Sequence, residues 1–235
     1  MTLVRHNSTD SWTFSGFLLQ SGKSVTGSLI LGAGVGCQGG VGPVNGTFDG
    51  QNLQLTVGSL GQDFGLSGSV TSAPSGRSTM EGQFSALSGG CLGFSSTGTF
   101  SAVRIPPLSG PFHGSFVEAG VLNPVPQNVT GTLTQGSNIG ASTATLSGNF
   151  SLTGSPQFCS YLSTGTLMGT ITGTNVVLDV YGPDGSQIGY IAGPNYPPQT
   201  ATLAPNGGAL NGSYSLNALS TSCTTNNGAV TMTFP

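Results

Sequence analysis

The sequence predicts an all-β chain folded as two tandem antiparallel meander β-barrels, seven or eight strands in each, with almost no helix. Three observations carry this expectation. Short runs of alternating apolar and polar residues are separated by turn clusters such as SGK, FDGQN, APSGR, GPDGS and APNGG. No segment places apolar residues at a 3.6-residue period, which argues against helix. Finally, the chain repeats itself.

The repeat is read from blocks that keep one order. GTFDGQNLQLTV (Gly46 to Val57) aligns without a gap on GTITGTNVVLDV (Gly169 to Val180). MEGQFSALSGGC (Met80 to Cys91) corresponds to LNGSYSLNALSTSC (Leu210 to Cys223), and STGTFSAV (Ser96 to Val103) to NNGAVTMTF (Asn226 to Phe234). Upstream, VTGSL at Val25 matches VTGTL at Val129, and FSGF at Phe14 loosely matches FHGSF at Phe112. Low complexity can imitate one such block but not their shared order. The Pro-containing stretch RIPPLSG (Arg104 to Gly110) suits a short stiff linker, giving units 1–105 and 106–235. The second unit is longer, and the extra length is read as a hairpin-like segment, ASTATLSGNFSL.

Strand after strand carries a central glycine: VTGSL, MEGQF, STGTF, VTGTL, LSGNF, LNGSYSL. Glycine weakens a strand but lets it bend, and a narrow barrel needs such bends. An aromatic residue stands two places after several of these glycines (Phe84, Phe150, Tyr214). It shares their face and could fill the gap above a neighbouring strand's bare backbone.

Composition removes several function classes. Of 235 residues only 5% are charged, with four Lys plus Arg and a net charge of −3, so nothing clusters the cations that a nucleic acid needs. No run of about 18 apolar residues occurs, which excludes a membrane helix. An outer-membrane barrel is set aside as well, because one Trp and five Tyr among many Ser and Thr cannot supply a lipid-facing band with aromatic girdles. The start, MTLVRHNSTD, has no apolar signal region. Cys37, Cys91, Cys159 and Cys223 match no zinc spacing. The repeat equates Cys37 with Cys159 and Cys91 with Cys223, so the expected pairs are Cys37–Cys91 and Cys159–Cys223. Each would close a loop of roughly 55 to 65 residues, worth about 4 kcal/mol on the chain-entropy model. Paired cysteines with scarce Lys and Glu suit an exported protein, periplasmic, outer-surface or extracellular, whose targeting segment lies outside this chain.

The motif order W-x-F, V-T-G-S, Cys, G-T-x-x-G, L-x-G-x-aromatic-Ser, Cys, T-G-T-F resembles a group of exported bacterial β-rich proteins, often lipoproteins. Trp12, Phe14, Val25 to Ser28, Cys37, Gly46 to Gly50, Met80 to Ser85, Cys91 and Thr97 to Phe100 carry it here. The resemblance implies an exported or surface location and no activity. The lipid-anchoring cysteine usual in such proteins is not in this N-terminal stretch. VTGTL and LNGSYS are also similar to strands of streptavidin-type barrels, in texture alone.

Chemistry is sparse. His113 in PFHGSF is the one candidate base, with Ser115 as hydroxyl and Asp63, Asp179 or Glu118 as orienter, but no GxSxG elbow supports a triad. Asp49 and Asp184 sit in Asp-Gly turns, where a carboxylate caps backbone N–H groups. No cofactor or metal site is expected. Binding is favoured over catalysis: Tyr190, Tyr196 and Trp12 are the candidate ligand contacts, with Tyr196 beside two prolines in YIAGPNYPPQT as a stacking platform for a glycan or a surface protein. That segment is longer than its counterpart around SAPSGRS. Asn7, Asn45, Asn128, Asn149 and Asn211 lie in N-x-Ser/Thr sequences. The expected function is an exported, non-catalytic surface or interaction module. A lipocalin-like carrier of a small apolar ligand and a hydrolase using scattered carboxylates are the alternatives.

Overall fold

The computed structural model describes residues 1–31, 40–59, 62–72, 78–88, 96–120, 122–138, 143–153, 162–192, 201–204, 208–216 and 226–235. They form two closed antiparallel barrels. One compact unit is drawn from Met1–Arg104, the other from Ile105–Asn138 and Ala144–Pro235.

The first barrel is a plain meander. Its strands are β1 (Thr2–Arg5), β2 (Ser11–Ser21), β3 (Ser24–Leu31), β4 (Gly40–Phe48), β5 (Asn52–Ser59), β6 (Gln62–Ser72), β7 (Ser78–Ser88) and β8 (Thr97–Val103). Each pairs with the next, and β8 returns to β1 through Leu3↔Phe100, which removes both sheet edges. Period-two alternation turns Leu3, Trp12, Phe14, Leu55, Phe64, Leu66, Phe84 and Phe100 inward. Phe14 and Phe64 meet edge to face at 5.8 Å. Burying each such side chain contributes about 1.5–3 kcal/mol.

The second barrel uses β9 (Gly110–Glu118), β10 (Gln127–Asn138), β11 (Thr143–Leu152), β12 (Thr164–Thr172), β13 (Asn175–Tyr181), β14 (Gln187–Ile191), β15 (Ala201–Leu203), β16 (Ala209–Leu216) and β17 (Asn226–Thr233). Its ring runs β9-β10-β11-β12-β13-β14-β16-β17 and closes where β17 meets β9, with β15 pairing both β13 and β16.

The central glycines are where aromatic rings lie across a neighbouring strand. Phe84 covers Gly98, its direct cross-strand partner, and Tyr214 covers Gly228 in the same way. Phe150 lies over Gly165. A Cβ at Gly98 would stand 2.4 Å from Phe84 Cε1 and 2.0 Å from the Val4 carbonyl oxygen, so no larger residue fits. The ring supplies the apolar area that the glycine lacks.

The ladders show the duplication in full and correct its upstream half. Gly46↔Leu55 in β4–β5 recurs as Gly169↔Leu178 in β12–β13, and Gly82↔Phe100 in β7–β8 recurs as Gly212↔Val230 in β16–β17. Upstream, however, the blocks paired by sequence are one strand out of step. Phe14↔Leu31, Gly16↔Leu29 and Leu18↔Gly27 in β2–β3 recur as Val129↔Leu152, Gly131↔Phe150 and Leu133↔Gly148 in β10–β11. VTGTL therefore corresponds to the FSGFL stretch of β2, and β9 to β1. ASTATLSGNFSL is no extra hairpin: it contains β11, the counterpart of β3.

The surplus lies elsewhere. Leu66↔Phe84 of β6–β7 recurs as Ile191↔Tyr214, and Val70↔Met80 as Leu203↔Leu210. Strands β14, ending at Ile191, and β15, starting at Ala201, together thus take the place of the single strand β6. YIAGPNYPPQT spans the interval between β14 and β15 in sequence. The true counterpart of SAPSGRS is the connection from β15 to β16.

Candidate functional site

Outward side chains of the first barrel fall into transverse rows because the ladders between β4 and β8 are in register. One row reads Asn45↔Thr56↔Gly65↔Ser85↔Thr97. The next reads Thr47↔Gln54↔Ser67↔Gln83↔Thr99. Gly65 contributes no side chain to its row, which leaves a dip between Thr56 and Ser85. The result is an open furrow of about 670 Å³ with His6 at one end, where the His6 N–H donates to the Thr97 carbonyl at 3.0 Å. Gln54 Nε2 donates to Ser67 Oγ at 2.6 Å, holding one amide in place. Beside His6 and the strand stretches at Leu55, Leu66 and Phe84, the described lining carries amides and hydroxyls, each able to donate and accept, and among the described residues no carboxylate, Lys or Arg.

The second barrel places different chemistry on the equivalent rows. Met168↔Asp179↔Tyr190↔Ser215↔Asn227 replaces the first, and Val177 stands where Gln54 does. Met168 is 54% exposed and Val177 42%. Asp179 accepts from Gln187 Nε2 at 3.1 Å.

Of the ligand contacts expected from sequence, Trp12 and Tyr190 belong to different barrels and Tyr196 is not described. Trp12 is 3% exposed, buried in the first barrel's core opposite Leu3, so its indole fills space and offers no outer face. Tyr190 is half-buried on β14 of the second barrel. Tyr196 lies outside the described residues, as do Cys37, Cys91, Cys159 and Cys223. Cys37 falls between β3 and β4, and Cys91 between β7 and β8. Cys159 and Cys223 occupy the equivalent intervals, β11 to β12 and β16 to β17.

His113 is exposed on β9, opposite Thr130 and Thr233, with Ser115 two residues along the same face. The seven carboxylates all lie among the described residues, and no two are cross-strand partners in the described ladders. Several have local partners. Asp10 faces Arg5 at 3.9 Å, and Asp63 accepts from Ser88 Oγ at 3.3 Å. Asp49 accepts from the Asn52 side chain and from the Asn52 and Gln51 backbone, which holds its carboxyl down at about 2. Hydrogen bonds from the Ser186 hydroxyl and N–H likewise lower Asp184.

One buried polar pair escaped the sequence. Tyr214, 1% exposed, donates its hydroxyl to Asn226 Oδ1, and Asn226, also 1% exposed, leaves Nδ2 without a partner among the described residues. Burial, with the nearby Glu118 charge, pushes the Tyr214 hydroxyl up to about 12. The first barrel has Phe84 and Ser96 at these positions. Among known proteins, no family model, curated protein or solved structure matches this chain.

Proposed function

We propose that this chain is an exported, non-catalytic interaction module that works through the outside of its barrels. Each barrel is tied by its own disulfide, Cys37–Cys91 in the first and Cys159–Cys223 in the second. The observation that carries this reading is the polarity of the barrels. Large apolar side chains fill the inward positions, and the first barrel presents two rows of neutral polar groups outward. A carrier of apolar ligands draws less support, because Phe14, Phe64, Phe84 and Phe100 pack where its guest would sit. Hydrolysis draws less as well, since carboxylates meant to act together should face one another across a cleft. Inward-apolar and outward-polar is also the reverse of the arrangement a lipid-embedded barrel needs. Among the described residues, no helix is long and apolar enough to cross a membrane.

Non-reducing native mass spectrometry of the protein purified from its source tests the reading. The expected result is a mass short by two disulfides' worth of hydrogen and no stoichiometric apolar guest. A bound apolar molecule at one per chain would overturn it in favour of a carrier.

A further inference from the structure

We infer that the furrow on the first barrel takes an uncharged oligosaccharide laid across the strands; this rests on the interaction-module reading and names its ligand. Polyanions require clustered cations, and the described lining residues include none. A protein partner requires desolvated aromatic or aliphatic anchors, and a lipid requires apolar area. The outward groups of the two rows are Asn, Gln, Thr and Ser, and the aliphatic Leu87, 56% exposed beside Gly65, is a single side chain and not an anchor cluster. Sugar hydroxyls donate and accept in equal measure, as these groups do.

The direction follows from the register. Each step along a row is one strand spacing, about 4.8 Å, so the path over the curved sheet from Asn45 to Thr97 is roughly 19 Å, the length of about four sugar rings that follow its curve. Gly65 sets the depth at mid-row. A Cβ added there would meet Ser85 Oγ at 3.3 Å and Leu87 methyls at about 3.5 Å, all side-chain atoms able to turn aside. A larger residue at this position therefore fills the furrow and leaves the barrel intact. Without an outward aromatic platform, affinity rests on hydrogen bonds, which sets the dissociation constant on the order of 0.1–1 mM. The second barrel's row puts Met168, Asp179 and Tyr190 where the furrow has Asn45, Thr56 and Gly65, and it lacks this site.

The test is calorimetric titration of the full chain with neutral cello-, xylo-, malto-, manno- and chito-oligosaccharides. Heparin fragments and a pool of polar peptides serve as competitors in class. One neutral series should bind, with affinity changing less than about twofold when salt is raised tenfold. Gln83→Ala should weaken it by about 5- to 10-fold, Gly65→Leu should abolish it with an unchanged melting curve, and Tyr190→Ala should leave it intact. Absence of binding by every neutral series, or binding indifferent to both Gly65→Leu and Gln83→Ala, overturns the inference. If the peptide pool alone binds and Gly65→Leu removes that binding, the ligand class is wrong and the interaction-module reading stands. If nothing that binds responds to Gly65→Leu, that reading loses its site as well.

Discussion

Where the first barrel sets Phe64 against Ala86, the second sets Gly189 against Leu216. The positions are equivalent, since Val57↔Phe64 recurs as Val180↔Gly189. Large and small have changed places across the same ladder rung, and Leu216 Cδ2 fills the space over Gly189. At this rung one large side chain covers the small partner in both barrels, from opposite strands, as close-packed cores permit. The outer faces follow no such constraint. Gly65 and Tyr190 are equivalents, one opening a furrow and the other filling its place with a phenol ring. Volume restrains the inside of a barrel; chemistry is free to diverge outside.

The sharpest way to break the comparison is to make a glycine obey the wrong rule. Gly98→Val drives a side chain into the Val4 carbonyl and the Phe84 ring, and should cost about 3–5 kcal/mol or prevent the first barrel from folding. Gly65→Ala, on the outer face of the same barrel, should cost less than about 1 kcal/mol. Urea unfolding of both variants checks the pair. Next in size, Leu216→Ala leaves Gly189 uncovered and should cost about 2–5 kcal/mol, whereas Ala86→Leu overfills the space beside Phe64 for about 1–3 kcal/mol.

Tyr214→Phe imports the first barrel's residue without its companion and strands the Asn226 amide, at a cost of about 1–3 kcal/mol. Adding Asn226→Ser completes the exchange and should restore most of that loss, so a double-mutant cycle in urea should show clear coupling. The smallest effect is in the turns. Asp49-Gly50 joins β4 to β5, and Thr172-Gly173 joins β12 to β13, both glycines having positive φ. Asp49 has a folded pKa lowered to about 2, so its contribution is present above the unfolded carboxylate value and is lost as pH falls through about 2. The stability difference between wild type and Asp49→Asn should be flat above about pH 5 and vanish toward pH 2. Thr172→Asn in the second barrel should show no such pH dependence.

Local signals made the fold legible. Alternation, turn glycines and the spacing from Gly82 to Phe84 or Gly212 to Tyr214 are all read within a few residues. Register is not, and that is where the reading slipped. VTGSL and VTGTL look alike, yet hydrogen-bond pairing sets VTGTL opposite Leu152 and Phe150, in the place of β2. Trp12, a candidate ligand contact by sequence, shares strand parity with Phe14 and so faces the core. The furrow had no sequence signal at all. Asn45, Thr56, Ser85 and Thr97 are ordinary outward residues on separate strands, and only the ladders align them.

On this proposal the first barrel's outer rows, and not their equivalents in the second, meet the partner. Side-chain amide NMR signals of Asn45, Gln54 and Gln83 report on this directly during titration with the neutral oligosaccharide that binds. The account predicts saturable shifts for these three and none for Asn227 or the Met168 methyl. Shifts confined to Asn227 and Met168, with the three amides unmoved, would contradict it.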